Sequence, residues 1–213
     1  MLWDGQVARL KLFRHFADIL AESASCIAVD MPIGLALRHG RRAEQAARRI
    51  LGARRSSVFA VPSRAAVACD DYPQACAVNL EHSDPPRKIS QQSFHLFPKI
   101  REVDAVMTPD LQRRVHEVHP EVCFFAMNGL RPLQFAKKCR AGEAERIVLL
   151  ARQEFPVPDL DELPYLRREV GRDDVLDACA AAWSARRIAN GQALHFPETP
   201  DRDARGLVMS IKA

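Results

Sequence analysis

The stretch that most limits what this chain can become is VHEVHPEVCFFAMNG, Val115 to Gly129. Its front half alternates apolar and polar residues, the pattern of a strand. Pro120 closes that strand, because proline has no N–H for a ladder and biases His119 toward an extended backbone. Glu117 therefore falls inside the predicted strand and Glu121 at its exit, ahead of Val122-Cys123-Phe124-Phe125. A carboxylate set among apolar neighbours needs a partner, either a metal or a basic side chain. Two acids and a histidine at one strand end read as a site; a partly buried ion cluster is the plainer alternative.

A second strand is predicted at Cys26-Ile27-Ala28-Val29-Asp30, an apolar run ending in an acid and broken by Pro32 and Gly34. Asp30 is then either a carboxylate presented at a sheet end or a turn-forming Asp. The third acidic element is DDVLDACAAAWSARRIAN, Asp173 to Asn190. Asp173 reads as a helix N-cap and Asp174 suits the positive end of the helix dipole. Asp177 lies one turn further in, at i+3 and i+4 from the other two, where a bound cation would reverse their mutual repulsion. The alanines behind it favour close packing on a sheet.

Between these segments the spacing predicts amphipathic or capped helices over Val7–Ala21, Arg41–Leu51 (stopped by Gly52), Tyr72–Glu81, Ser90–Val103 and Glu143–Gln153. Asp4-Gly5 reads as a hairpin turn, Asn128-Gly129 as a turn, and Phe155–Pro164 as a loop. Gly206–Ile211 is expected as an edge strand. The loop Arg54–Arg64 carries Arg54, Arg55 and two serines and could hold a phosphate, though a solvated loop has the same composition. Lys99 lies on the Ser90 helix, and Lys137-Lys138 follow the central stretch.

The 213 residues suffice for one sizeable core, read as one α/β domain over 1–213. A net charge of +4 permits a polyanionic partner without requiring one. The six cysteines form no C-x-x-C pair, so the expectation is free thiols in a reducing compartment, the cytoplasm. No run is apolar and long enough to span a membrane, and no signal segment is visible at the start.

Asp30, Glu117, Glu121, Asp174 and Asp177 thus come from three segments that could converge. Hard divalent cations take such oxygen ligands, and a metal pair can drive phosphodiester cleavage. His119 could assist proton transfer or be structural.

IAVDMPIGL (Ile27–Leu35), LGARRSSVF (Leu51–Phe59), SQQSFHLFPKIREVD (Ser90–Asp104), EVHPEVCFFAMNG (Glu117–Gly129) and DDVLDACAAA (Asp173–Ala182) occur in an order that resembles domain of unknown function family 429. Its members are described as predicted nucleases of ribonuclease-H-like fold. The resemblance implies a mixed sheet flanked by helices, with the five acids lining one cleft near Lys99, His119 and Arg54. It implies Mg2+ or Mn2+ held by Asp30, Glu117 and Asp177, with Glu121 and Asp174 as ligands or supports. Arg54, Arg55 and Lys137 would contact a nucleic-acid substrate. One feature departs from the family. Its members open with a glycine-rich G-V-D-G strand, whereas this chain starts Met1-Leu2-Trp3-Asp4-Gly5-Gln6. A short start of this kind leaves a sheet edge open to homodimerisation. Two other expectations follow, a non-catalytic nucleic-acid-binding or interaction module and a nucleotide-handling enzyme. The chain has no G-x-x-x-x-G-K-S/T run, which excludes only the P-loop version of the latter.

Overall fold

Short strands and longer helices alternate along the chain. The computed structural model describes residues 1–213 and shows an α/β fold. It opens with a hairpin of β1 (Leu2–Trp3) and β2 (Ala8–Arg9), paired Leu2 to Arg9 and Trp3 to Ala8. Asp4 Oδ1 accepts from the backbone N–H groups of Gln6 and Val7, and Gly5 takes φ +102°, a conformation open to glycine. The predicted Val7–Ala21 helix is therefore corrected. Only α1 (Phe16–Leu20) is helical, because Ala8 and Arg9 are claimed by the hairpin. Leu10 packs on the main core while Leu12 is exposed, so the apolar spacing does not describe one face.

Next come β3 (Ile27–Val29), α2 (Arg42–Leu51), α3 (Arg64–Val67) and α4 (Tyr72–Glu81). The predicted Ser90 helix is two pieces, α5 (Gln91–Phe94) and α6 (Phe97–Val106). Ser90 caps the first, and Pro98 sits in the first turn of the second, where a missing N–H costs nothing. Then follow β4 (Val115–Glu117), α7 (Pro120–Met127), α8 (Arg140–Arg152), α9 (Arg172–Ala189), β5 (His195–Arg202) and β6 (Val208–Lys212).

The strands β3 and β4 are parallel, with Ile27 opposite Val115 and Val29 opposite Glu117. A single parallel bridge, Val118 to Lys212, links β4 to β6, and β6 pairs antiparallel with β5. Strand direction is thus mixed, but the ladder thins to one bridge at its middle because β4 ends where Pro120 starts a helix. The predicted edge strand near the C-terminus is interior instead. Val208–Lys212 runs between β4 and β5, and the outer place falls to β5, whose Pro197 and Pro200 suit an edge.

At the centre is α7, buried on nearly every side from Pro120 to Phe125. It packs with α8 and α9 around Phe124, Leu150, Leu176 and Trp183, the largest apolar cluster. All six cysteines are free thiols. No helix is long and apolar enough to cross a membrane.

Candidate functional site

Glu117 ends β4 almost fully buried and is met by Arg41, the residue before α2. Arg41 donates from Nη2 to Glu117 Oε1 at 2.5 Å and from Nη1 to Oε2 at 3.0 Å. The Ile33 N–H also donates to Oε2 at 2.7 Å. The same guanidinium donates from Nε to Glu44 at 2.9 Å and from Nη1 to the carbonyls of Ile33 and Gly34, both at 2.9 Å. Glu117 thus clamps the turn after β3. One guanidinium cannot neutralise two carboxylates, and burial pushes Glu117 up to about 7.

Glu121, in the first turn of α7, pairs through Oε2 with Arg146 Nη2 of α8 at 2.7 Å; its Oε1 is buried without a hydrogen bond. His119 caps α7. Its Nδ1 accepts from the Glu121 N–H at 3.3 Å, which places the proton on Nε2, 3.2 Å from the Ser57 carbonyl. Burial lowers its pKa, so the ring is a neutral brace with both nitrogens engaged.

The acids that face open space are different ones. Asp30 follows β3, and Asp174 and Asp177 lie on the first turns of α9, which packs along β3. All three line a cleft of about 670 Å3, with Lys137 at its rim. Lys137 Nζ donates to Asp177 Oδ2 at 2.7 Å and lies 3.6 Å from Asp173. Asp30 makes no ion pair. It is reachable by solvent through the cleft yet crowded by protein, and this, together with the charge of Asp177, pushes its pKa up to about 7. Burial also raises Asp177, against the opposing pull of Lys137. Beside Asp30 a small pocket of about 30 Å3 is lined also by Glu117, Arg41 and His119. The helix starts at Arg172, one residue before Asp173, so Gly171 rather than Asp173 is the N-cap and its N–H donates to Asp174 Oδ2 at 3.0 Å.

The structure therefore gathers Asp30, Asp174, Asp177 and Lys137 at one cleft. It ties Glu117 and Glu121 to arginines behind it. Arg54 is turned to the backbone, donating from Nε to the Leu133 carbonyl at 3.2 Å and from Nη2 to that of Gln134. Arg55 is exposed beside it, and Lys99 is exposed on α6; neither lines the cleft. No group of three or more His, Cys, Asp or Glu side chains is arranged to hold a metal ion.

Sequence reasoning missed Arg41, Glu44 and Arg146. Arg41-x-x-Glu44 at a helix start was a usable signal, since Glu44 Oε2 accepts from the Arg41 N–H at 3.1 Å in capping fashion. Arg146 gave none, since it lies beside Glu143 and Glu145 in a helical stretch of ordinary charge.

Residues 1–202 match the family described as Protein of unknown function (DUF429). The chain belongs to that family. The match spans every element from β1 to β5, so the cleft and both arginine-bound glutamates lie within the DUF429 region. No curated protein and no solved structure matches this DUF429 member.

Proposed function

We propose that the cleft between β3 and α9 is the site of a divalent-metal-dependent phosphodiester hydrolase of the ribonuclease-H-like class, acting on nucleic acid in the cytoplasm. The observation that carries this reading is the pair Asp30 and Asp177. They come from distant parts of the chain, face the same open cleft, and sit close enough for one to raise the pKa of the other. A fold tolerates such repulsion where a cation relieves it.

Asp30 and Asp177 would be the carboxylates that hold a hard cation, with Asp174 on the same rim as a further oxygen. Glu117 is committed to Arg41 and Ile33, and would hold the β3 turn that carries Asp30 rather than face the ion. Bound Mg2+ or Mn2+ would supply a polarised phosphoryl oxygen and a more acidic water. The chain's own part is to fix the two carboxylates, keep His119 neutral as a brace, and offer the Lys137 ammonium to a phosphate oxygen. Without the ion, the cleft carboxylates repel a phosphate backbone, so nucleic acid is expected to bind only when metal is present.

The test is a melting-temperature titration with Mg2+ and Mn2+ on the parent and on Asp177→Asn, followed by cleavage assays on single- and double-stranded DNA and RNA. A shift confined to the parent, with metal-dependent cleavage, supports the reading. No shift and no cleavage by a folded parent sinks it.

A second reading has its own observation. Lys137 already neutralises Asp177, and no three ligating side chains are grouped. A non-catalytic nucleic-acid-binding module on the same fold follows, which predicts salt-sensitive binding in the absence of metal and no turnover.

A further inference from the structure

We infer that the cleft is a docking slot for one extended polypeptide segment of a partner protein, bearing small apolar side chains and a lysine or arginine. The argument begins with backbone groups. Within β3, the Ile27 N–H donates to the Arg114 carbonyl at 2.8 Å, and the Val29 carbonyl accepts from the Val118 N–H at 3.0 Å. Successive residues of a strand turn their N–H and C=O to opposite sides, so those of Ala28 point away from β4. No strand pairs with β3 on that side. The strand β1 also pairs on one side only, with β2. Both free edges line the same cleft. A slot bounded by two unpaired strand edges is shaped for an added strand, which gains main-chain hydrogen bonds as it enters.

The other walls say what that strand carries. Ala178, Ala181, Ala182 and Ala185 of α9 form the floor, leaving room for modest apolar side chains. Five acids line the cleft, Asp4, Glu22, Asp30, Asp174 and Asp177, against two bases, Lys137 and Arg186; Glu22 is held by Lys11 and Asp177 by Lys137, while Asp4, Asp30 and Asp174 have no basic side chain within 4.0 Å. That surplus of acid favours a positive charge on the incoming segment. The walls also argue against a second copy pairing through its own β3. That edge shares its cleft with the hairpin and α9, so a second copy's β3 would have to enter past both walls while carrying its own. This inference rests on the strand edges rather than on the hydrolase reading, and it is measured in chelator, so the two can fail separately.

The experiment is selection of a random-peptide display library against the full chain in EDTA, with Ala181→Trp, which fills the slot, as the counter-selection. The strongest peptide is then synthesised. The expected result is enrichment of alternating small apolar residues with a Lys or Arg, and slowed hydrogen exchange at the Ala28 amide on binding. Ala28→Pro removes the outward donor while the Ile27 and Val29 groups that face β4 keep their partners, and an unpaired edge accepts the fixed φ of proline, so that variant is expected to fold and bind about tenfold more weakly, the scale of one hydrogen bond. Four results would overturn the inference: no enrichment over Ala181→Trp, equal binding to a folded Ala28→Pro variant, enriched peptides lacking a basic residue, or an Ala28 amide already protected in a homodimer of the free protein.

Discussion

Replacing Arg41 with methionine should expose how much of the site is frame. The guanidinium makes six hydrogen bonds, to Glu117, Glu44 and the carbonyls of Ile33 and Gly34. Methionine keeps much of the volume but leaves two carboxylates in a buried site, Glu44 and Glu117 being 2% and 6% exposed. Breaking a buried pair from one side costs about 3–5 kcal/mol, a large share of a typical total of roughly 5–15 kcal/mol. The loss should depend on pH. At about pH 5 the stranded carboxylates can take up protons cheaply, whereas at about pH 8 they must stay charged or bind a proton against the solution, so the destabilisation grows as pH rises. Adding Glu117→Gln to Arg41→Met should recover about 1–3 kcal/mol at the higher pH, the usual size of coupling between contacting groups. Urea unfolding at both pH values, with a common m-value, gives each quantity. A loss below about 1 kcal/mol at pH 8 for Arg41→Met, or no recovery in the double variant, would refute the clamp, since those are the values of an exposed pair.

Three further outcomes are expected. Asp30 has a folded-state pKa near 7, above its ordinary 3.8, so the stability it contributes is complete below about pH 4 and is lost as pH rises through 7; Asp30→Asn should flatten the pH dependence of the urea midpoint, leaving the same-signed slope from Glu117, and an unchanged slope would contradict this. Asp177→Asn removes a charge that holds Asp30 up, so the Asp30 titration followed by carboxyl 13C NMR should move to lower pH, and a fixed midpoint would show that the two acids do not feel each other. Gly142→Ala would set a Cβ 2.0 Å from the Ala136 carbonyl oxygen, a backbone atom that cannot swing aside, and should cost about 1–3 kcal/mol in urea unfolding; a neutral result would mean α8 does not approach that closely.

The legible parts of the fold were those with local causes. A continuous apolar run ending in an acid marked β3, alternation marked β4, Gly52 stopped α2, and Asp4-Gly5 turned the hairpin. The helix α7 escaped notice because Val122 to Met127 is apolar all round and so has no period to read. The strand β5 hid behind its two prolines, which forbid a central strand but suit the edge it occupies. In the site, sequence alone could say that buried carboxylates need partners. It could not say which, because Arg41 lies 76 positions from Glu117 and Arg146 lies 25 from Glu121. Both were open to the plainer reading of an ion cluster, and in the structure both are ion-paired, while Asp30 and Asp177 keep their oxygens toward the cleft.

The segment that carries Lys137 is pinned at several points: Arg54 holds the Leu133 and Gln134 carbonyls, Glu145 accepts from the N–H groups of Gln134 and Phe135, and Cys139 caps α8. The ammonium at Asp177 is therefore a resident competitor whose local concentration is set by the tether, on the order of millimolar or more for so short a link. Any cation from solution has to outcompete an occupant that never diffuses away. The cleft's appetite for positive charge is then governed by the stiffness of the loop behind Lys137, and slackening the grip of Arg54 on that loop would tune it from a distance.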